Sequence, residues 1–321
     1  MDAPRFLMIA SLIVAGACAA EGGSGNRSDM GASGGATAGG ATSSGGSADS
    51  GLGNGGSAGA IPATTDSAVE ASAITESATT DSAVEASAIT DGNKPEASVP
   101  YEPAPTTGFV EIPLYPGDPP NFLANAPRET TDATGRILNV SVPTLRRYPF
   151  DESKATGTGF VAFPGGAYTA LDFEVNVAAY AKRLGPLGIA IFGLKYRVGG
   201  GSTNAPRDAL LDAKRALRLV RSKAAQWALA PNRIGVISHS AGSHLAMSLV
   251  AGFDLGDAAA GDPVERLSCR PDFVASMCTW SFGSAISPFK FTADAPPVYL
   301  CHALDDTTAP IGLAYAIDKQ L

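Results

Sequence analysis

Between Gly159 and Cys301, short apolar runs alternate with longer segments of helical periodicity, and that alternation leaves few folds open. Gly159-Phe160-Val161-Ala162-Phe163 is continuously apolar, as a strand buried on both faces must be. Gly188 to Arg197, Ile234 to Ile237, Phe273 to Cys278 and Pro297 to Cys301 read as strands of the same kind. Between the first two, Phe173, Val177, Tyr180, Ala181 and Leu184 recur at three- and four-residue spacing and stop at Gly185. After Pro206, a helix-compatible first-turn residue, Leu210, Ala213, Leu217, Val220, Ala224 and Trp227 keep the same spacing, with Lys214, Arg218 and Arg221 on the other side. The basic residues from Arg207 to Lys223 therefore read as the solvated face of a helix. The order predicts an α/β domain with a largely parallel sheet flanked by helices.

The first hundred residues cannot join that core. Gly, Ala, Ser and Thr dominate them, most densely from Gly31 to Gly59, and such a tract buries too little to offset its ordering entropy. Ala63 to Thr75 recurs as Ala78 to Thr90; two weakly apolar copies are too few for a solenoid and read as a duplication inside a spacer. Arg5, the apolar run Phe6 to Val14 and Ala15-Gly16-Ala17-Cys18 have the form of an export signal too short to span a membrane. Ala-Gly-Ala-Cys resembles the acylation motif of bacterial lipoproteins, which would make Cys18 a lipid anchor for membrane attachment in the cell envelope. Ordinary signal cleavage near Ala17-Cys18-Ala19, with secretion, is the alternative. The expected organisation is a signal over 1–20, a disordered linker over 21–106 and a folded domain over 107–321. A net charge of -8 without a Lys/Arg-dense patch argues against nucleic acid as a partner.

Three stretches at predicted strand ends carry chemistry. In the run from Arg233 to Ala246, a β-branched strand meets Ser238-His239-Ser240-Ala241-Gly242 and then a helical pattern. Ser240 stands at the tip of a tight strand-to-helix turn, where a strained backbone demands small neighbours; Ser238 and Gly242 satisfy that, as would a plain helix N-cap. Pro164-Gly165-Gly166-Ala167-Tyr168 follows a buried strand, so the Gly165 and Gly166 amides either point into a cleft or simply form a turn. In His302 to Pro310, Asp306 is the carboxylate expected to face inward, with Asp305 pointing away or capping the turn; the alternative has both as loop caps.

Together these stretches resemble the α/β-hydrolase superfamily. From about residue 109 to 321 the chain resembles the acetyl esterases and acetylxylan esterases among carbohydrate esterases. The resemblance is carried by Asn139 to Leu145, Pro-Gly-Gly-x-Tyr at 164–168, Lys195-Tyr196-Arg197, Asp212 to Arg221, Arg270-Pro271-Asp272-Phe273 and His302-Ala303-x-Asp305-Asp306. Ser238 departs from the Gly usual in that family. The resemblance implies hydrolysis of a small-molecule or carbohydrate ester with no metal or organic cofactor. It implies Ser240 as nucleophile, Asp306 as the acid orienting a histidine, and the amides of Gly165, Gly166 and Ala241 as an oxyanion hole.

It also implies a histidine downstream of the acid. The sequence holds only His239, His244 and His302; they read respectively as a packing residue, a ring hydrogen-bonded within the fold, and a structural residue. The last residues keep helical spacing through Ile311, Leu313, Ala314, Ile317 and Leu321. The expectation is thus a hydrolase domain truncated at its C-terminus and lacking its base; the alternative is a non-catalytic surface module binding carbohydrate or protein. Trp280 to Ala295 is short for the family and would leave the cleft open. Cys269, Cys278 and Cys301 read as buried free thiols, with a pairing of Cys269 as the alternative.

Overall fold

In chain order the strands are β1 (Val110–Pro113), β2 (Thr130–Thr131), β3 (Ile137–Leu138), β4 (Thr144–Arg147), β5 (Gly159–Phe163), β6 (Ala170–Leu171), β7 (Ala190–Lys195), β8 (Ile234–His239), β9 (Val274–Met277) and β10 (Val298–Cys301). The helices are α1 (Ala179–Leu184), α2 (Ala205–Ser222), α3 (Ala241–Gly252) and α4 (Gly312–Asp318). The structure is a computed structural model that describes residues 100–280 and 289–321. The export signal with Cys18, the duplicated segment, the linker to residue 99 and the centre of the Trp280 to Ala295 stretch lie outside the described residues.

One sheet runs in the order β1-β4-β7-β5-β8-β9-β10, and β2-β3-β6 form a small antiparallel second sheet. β1, β4 and β7 are antiparallel neighbours, whereas β7, β5, β8, β9 and β10 all run parallel. Every residue of β5, β7 and β8 is buried, which is why these strands read as unbroken apolar runs. The chain crosses from β5 to β7 on one side and then returns through α2 to β8 on the other. The carboxyl ends of β5 and β8 therefore flank the point where strand order reverses, the place where such sheets open a crevice.

Several local expectations change. The helix expected from Phe173 begins as a π-turn over Phe173–Ala178 before α1 takes over. α2 starts where Pro206 suggests, with Asn204 Oδ1 accepting from the Arg207 N–H at 3.2 Å, but ends at Ser222. A separate 3-10 turn, Ala225–Trp227, then carries Trp227 into the core, where it stacks on Phe192 at 5.1 Å. The basic face of α2 is solvated at Arg207 but covered at Arg215 and Arg218. Arg215 pairs with Asp262 at 2.7 Å and Glu265 at 2.8 Å, and Arg218 pairs with Asp254 and with Glu265 at 3.0 Å. An acidic segment some forty residues downstream covers the arginines, and helical periodicity carries no information about such a partner.

The folded part also starts before residue 107. Glu102 accepts from Trp227 Nε1 and Gln226 Nε2, each at 3.1 Å, and Arg147 Nη2 donates to the Glu102 carbonyl at 2.8 Å. The end of the expected linker is thereby tied to the domain. Arg197 and Asp212, both wholly buried, pair at 2.7 Å and fix α2 to the residues after β7. Cys269 and Cys278 are buried and Cys301 is half-buried.

Candidate active site

At the end of β8 the chain turns into α3 through Ser240, whose φ of 51° and ψ of -119° lie outside the helical and extended regions. Such a conformation in a residue other than glycine costs about 1–3 kcal/mol and persists only where its surroundings enforce it. Here the Ser240 N–H donates to the Met277 carbonyl at 3.0 Å, and its own carbonyl accepts from Ser243 and His244 at 2.8 and 3.2 Å. A Cβ on Gly242 would fall 2.2 Å from the Phe163 carbonyl oxygen, so only glycine lets the first turn of α3 lie against the end of β5. Ser238 uses its hydroxyl on Ser243 Oγ at 3.2 Å and the Ala275 carbonyl at 3.3 Å, so the serine in place of the usual glycine is satisfied within the core. Ser240, although it precedes a helix, makes no side-chain cap, and it is only half-buried. The plain N-cap role is thus not the one its hydroxyl performs.

The turn at 164–168 lies directly against Ser240: a methyl group on Gly165 would sit 3.2 Å from Ser240 Cβ. One expectation fails here. The Gly165 N–H donates to Asn176 Oδ1 at 2.8 Å and is therefore not an open donor. Gly166 has φ of 124°, and a Cβ there would lie 2.1 Å from the Ala170 carbonyl oxygen. Its carbonyl accepts from the Thr169 and Ala170 amides at 3.0 and 3.1 Å, which closes the turn. The Gly166 and Ala241 N–H groups have no hydrogen-bond partner among the described residues.

Ala167 and Tyr168 continue at φ of 53° and 59°. The Tyr168 hydroxyl meets His244 Nδ1 at 3.0 Å, with the rings edge-on at 5.8 Å. Burial pushes His244 down to about 4 and raises the Tyr168 phenol, so a neutral imidazole accepts from a protonated hydroxyl. The turn is in this way fastened to the helix that follows Ser240, and His244 is hydrogen-bonded within the fold as expected.

Beyond β10, Asp306 Oδ1 accepts from the Thr308 and Ala309 amides at 2.9 and 2.8 Å. Asp306, not the exposed Asp305, is therefore the turn cap, and it caps with one oxygen only. Its Oδ2 lies 3.6 Å from His302 Nε2, which is itself bonded to the Ala309 carbonyl. His239 is 2% exposed, and its Nδ1 lies beside Gly165. Burial pushes His239 down to about 4, while Asp172 and Asp306 pull it up and His302 pushes it further down. Asp306 thus acts electrostatically on the residue next to Ser240. Asn176 went unnoticed in the sequence; the available signal was an amide among the core positions Phe173, Val177 and Tyr180, just after a double glycine.

A family model described as BD-FAE matches residues 150–259, the stretch holding the 164–168 turn, Ser240 and α3. Over 90 residues the chain is 33% identical to an acetylxylan esterase of Xylanibacter ruminicola, a match covering 28% of this chain and 18% of that protein. Over 201 residues it is 26% identical to the probable carboxylic ester hydrolase LipM of Mycobacterium tuberculosis, covering 52% of this chain and 46% of LipM. The chain thus spans less than half the length of these curated relatives. Among solved structures it is similar to the acetyl ester-xyloside bifunctional hydrolase from Caldicellulosiruptor lactoaceticus, with 32% identity, a TM-score of 0.51, and coverage of 66% of this chain and 82% of that one. The chain belongs to the esterase group of the α/β hydrolases, a family of carboxylic ester hydrolases.

Proposed function

We propose that this protein is a serine-type hydrolase that removes short acyl groups, acetyl above all, from esterified carbohydrate through an acyl-enzyme on Ser240. The observation that carries the reading is the strained backbone at Ser240, which holds an uncapped hydroxyl next to the open Ala241 amide and against the 164–168 turn that carries the open Gly166 amide. Ser240 Oγ adds to the ester carbonyl carbon, and the resulting oxyanion accepts from those two amides. Collapse expels the alcohol, and water then releases the acid from Ser240. A base must take the Oγ proton and deliver it to the leaving alkoxide; in this reading Asp306 Oδ2, the oxygen not used in capping, orients that base. It is an imidazole whose place none of His239, His244 and His302 takes in the described geometry, so turnover by this chain is expected to be weak. The acetylxylan esterase and the acetyl ester-xyloside hydrolase among the similar proteins support an acetylated sugar as substrate.

A second reading, a module that binds acetylated carbohydrate without turning it over, is favoured by the engagement of His244 with Tyr168 and of His302 with Ala309. Release of p-nitrophenol from its acetate and of acetate from acetylated xylan separates the two. Ser240→Ala is expected to lower turnover by at least about 10³-fold. Equal turnover by the variant overturns the hydrolase reading; xylan binding without turnover by either protein favours the second.

A further inference from the structure

Gly165 packs against Ser240, a Cβ built on it lying 3.2 Å from Ser240 Cβ, yet its amide is spent on Asn176 Oδ1 at 2.8 Å. An N–H can only donate, so this bond fixes which end of the carboxamide faces Gly165: the oxygen is turned to the backbone and the NH2 group away from it. Asn176 is 5% exposed. Its Nδ2 nevertheless hydrogen-bonds to no described residue and is not among the buried polar atoms sealed from solvent without a partner. The side chain is thus almost wholly enclosed while its two donors remain open.

The residue is also held firmly. It lies in the π-turn Phe173–Ala178, a local irregularity that recurs at functional sites, between the buried Phe173 and Val177. The Asp172 N–H donates to the Gly165 carbonyl at 3.1 Å and the Asn176 N–H to the Asp172 carbonyl at 3.1 Å, which ties the same two segments together by backbone as well.

We propose that Asn176 is a catalytic residue, its Nδ2 group donating to the oxyanion formed on the Ser240-bound ester in place of the Gly165 amide. The inference rests on the hydrolase reading of Ser240. A carboxamide that accepts from Gly165 and donates with its other end extends the donor from backbone to side chain, keeps the hole neutral, and arrives pre-oriented, which is the condition under which such a donor lowers a barrier.

The test measures kcat and KM on p-nitrophenyl acetate for the full chain, Asn176→Asp, Asn176→Ala and Ser240→Ala, with thermal unfolding alongside. Asn176→Asp keeps the acceptor for Gly165 but replaces the donor with an oxygen; kcat is expected to fall about 10²-fold with KM little changed. Asn176→Ala releases the Gly165 N–H towards the same space and is expected to lose less. A purely structural asparagine gives the reverse order, with the aspartate variant near wild type and the alanine variant worst, and that order overturns the proposal. If the aspartate variant does not fold, Asn176→Ala is read with its unfolding: lower kcat at constant KM with an unchanged melting temperature supports the role, and unchanged kcat, or a loss matched by a fall in melting temperature, overturns it. Activity surviving in Ser240→Ala, or none in the unaltered chain, overturns the reading beneath it. Loss in Ser240→Ala together with the reversed order overturns only the role of Asn176.

Discussion

The turn after β5 places Gly166, Ala167 and Tyr168 consecutively at positive φ and fastens them with the Tyr168–His244 hydrogen bond, whereas the loop after β10 holds Asp306 by two amides on one oxygen. The strands behind them differ in the same sense: β5 is buried throughout, and β10, at the sheet edge, is half-buried throughout. In the hydrolase reading the difference has a physical rationale. Donors facing a developing oxyanion are effective only if they need no reorganisation, so that side is over-determined. A carboxylate that orients an imidazole needs one free oxygen and a fixed carbon skeleton, which a single capped oxygen supplies.

The sharpest way to break this contrast is Asp306→Asn. The amide oxygen can still accept from Thr308 and Ala309, so the loop and the melting temperature should hold, while loss of the charge is expected to lower kcat by roughly 10²–10⁴-fold. If the melting temperature falls and kcat does not, Asp306 is a cap and nothing more.

Acid titration tests the other side, where two buried histidines lie. Both His239 and His244 are pushed down by burial from 6.5 to about 4 in the folded chain. The unfolded chain therefore binds more protons between those values. The stability contributed by the neutral rings is complete above about pH 6.5 and is lost as pH falls towards 4. The loss is on the order of several kcal/mol for the pair. Urea unfolding at pH 7.5 and 4.5 measures it, and His239→Gln with His244→Gln should flatten the profile. An unchanged slope in the double variant would show that neither ring is the source.

How much of this was legible in the sequence follows the range of each interaction. Ser240 with its small neighbours and the double glycine were readable because tight turns impose their demands on adjacent residues; the capping of the 302–310 turn was not, since the sequence points to Asp305 for it and the fold gives it to Asp306. The parallel sheet was readable too, through the unbroken apolar runs of β5 and β8. The bond from Gly165 to Asn176, the clasp from Tyr168 to His244 and the acidic cover over Arg215 and Arg218 were not, because each joins residues whose pairing is set by packing rather than by local pattern. The failure on Gly165 has this origin: the sequence shows that its amide can be exposed, and only the fold shows an acceptor already there.

Two glycine replacements extend the contrast to stability. Gly242→Ala drives a methyl group to 2.2 Å from the Phe163 carbonyl oxygen, where backbone must move, and is expected to cost about 3 kcal/mol or more. Gly312, the first residue of α4 on the Asp306 side, has nothing within 4 Å of an added Cβ. Gly312→Ala should raise stability by about 0.4–1 kcal/mol by restricting the unfolded chain. Chemical denaturation of both variants reads the difference; similar losses in the two would show that the sides are equally constrained.

The smallest expected effect falls on the clasp itself. Tyr168→Phe keeps the ring, its edge-on contact with His244 and the Gly199 N–H bond to the residue 168 carbonyl at 2.9 Å, and removes only the hydroxyl that His244 Nδ1 meets. The loss in stability is expected to be about 1–2 kcal/mol, the range for withdrawing one partner from a buried polar group. If the backbone bonds alone hold the positive-φ residues, kcat will not change. A fall in kcat at constant KM, larger than the stability loss accounts for, would instead show that the open Gly166 amide owes its orientation to the helix behind Ser240, so that the two walls of the site are aligned by one hydrogen bond between them.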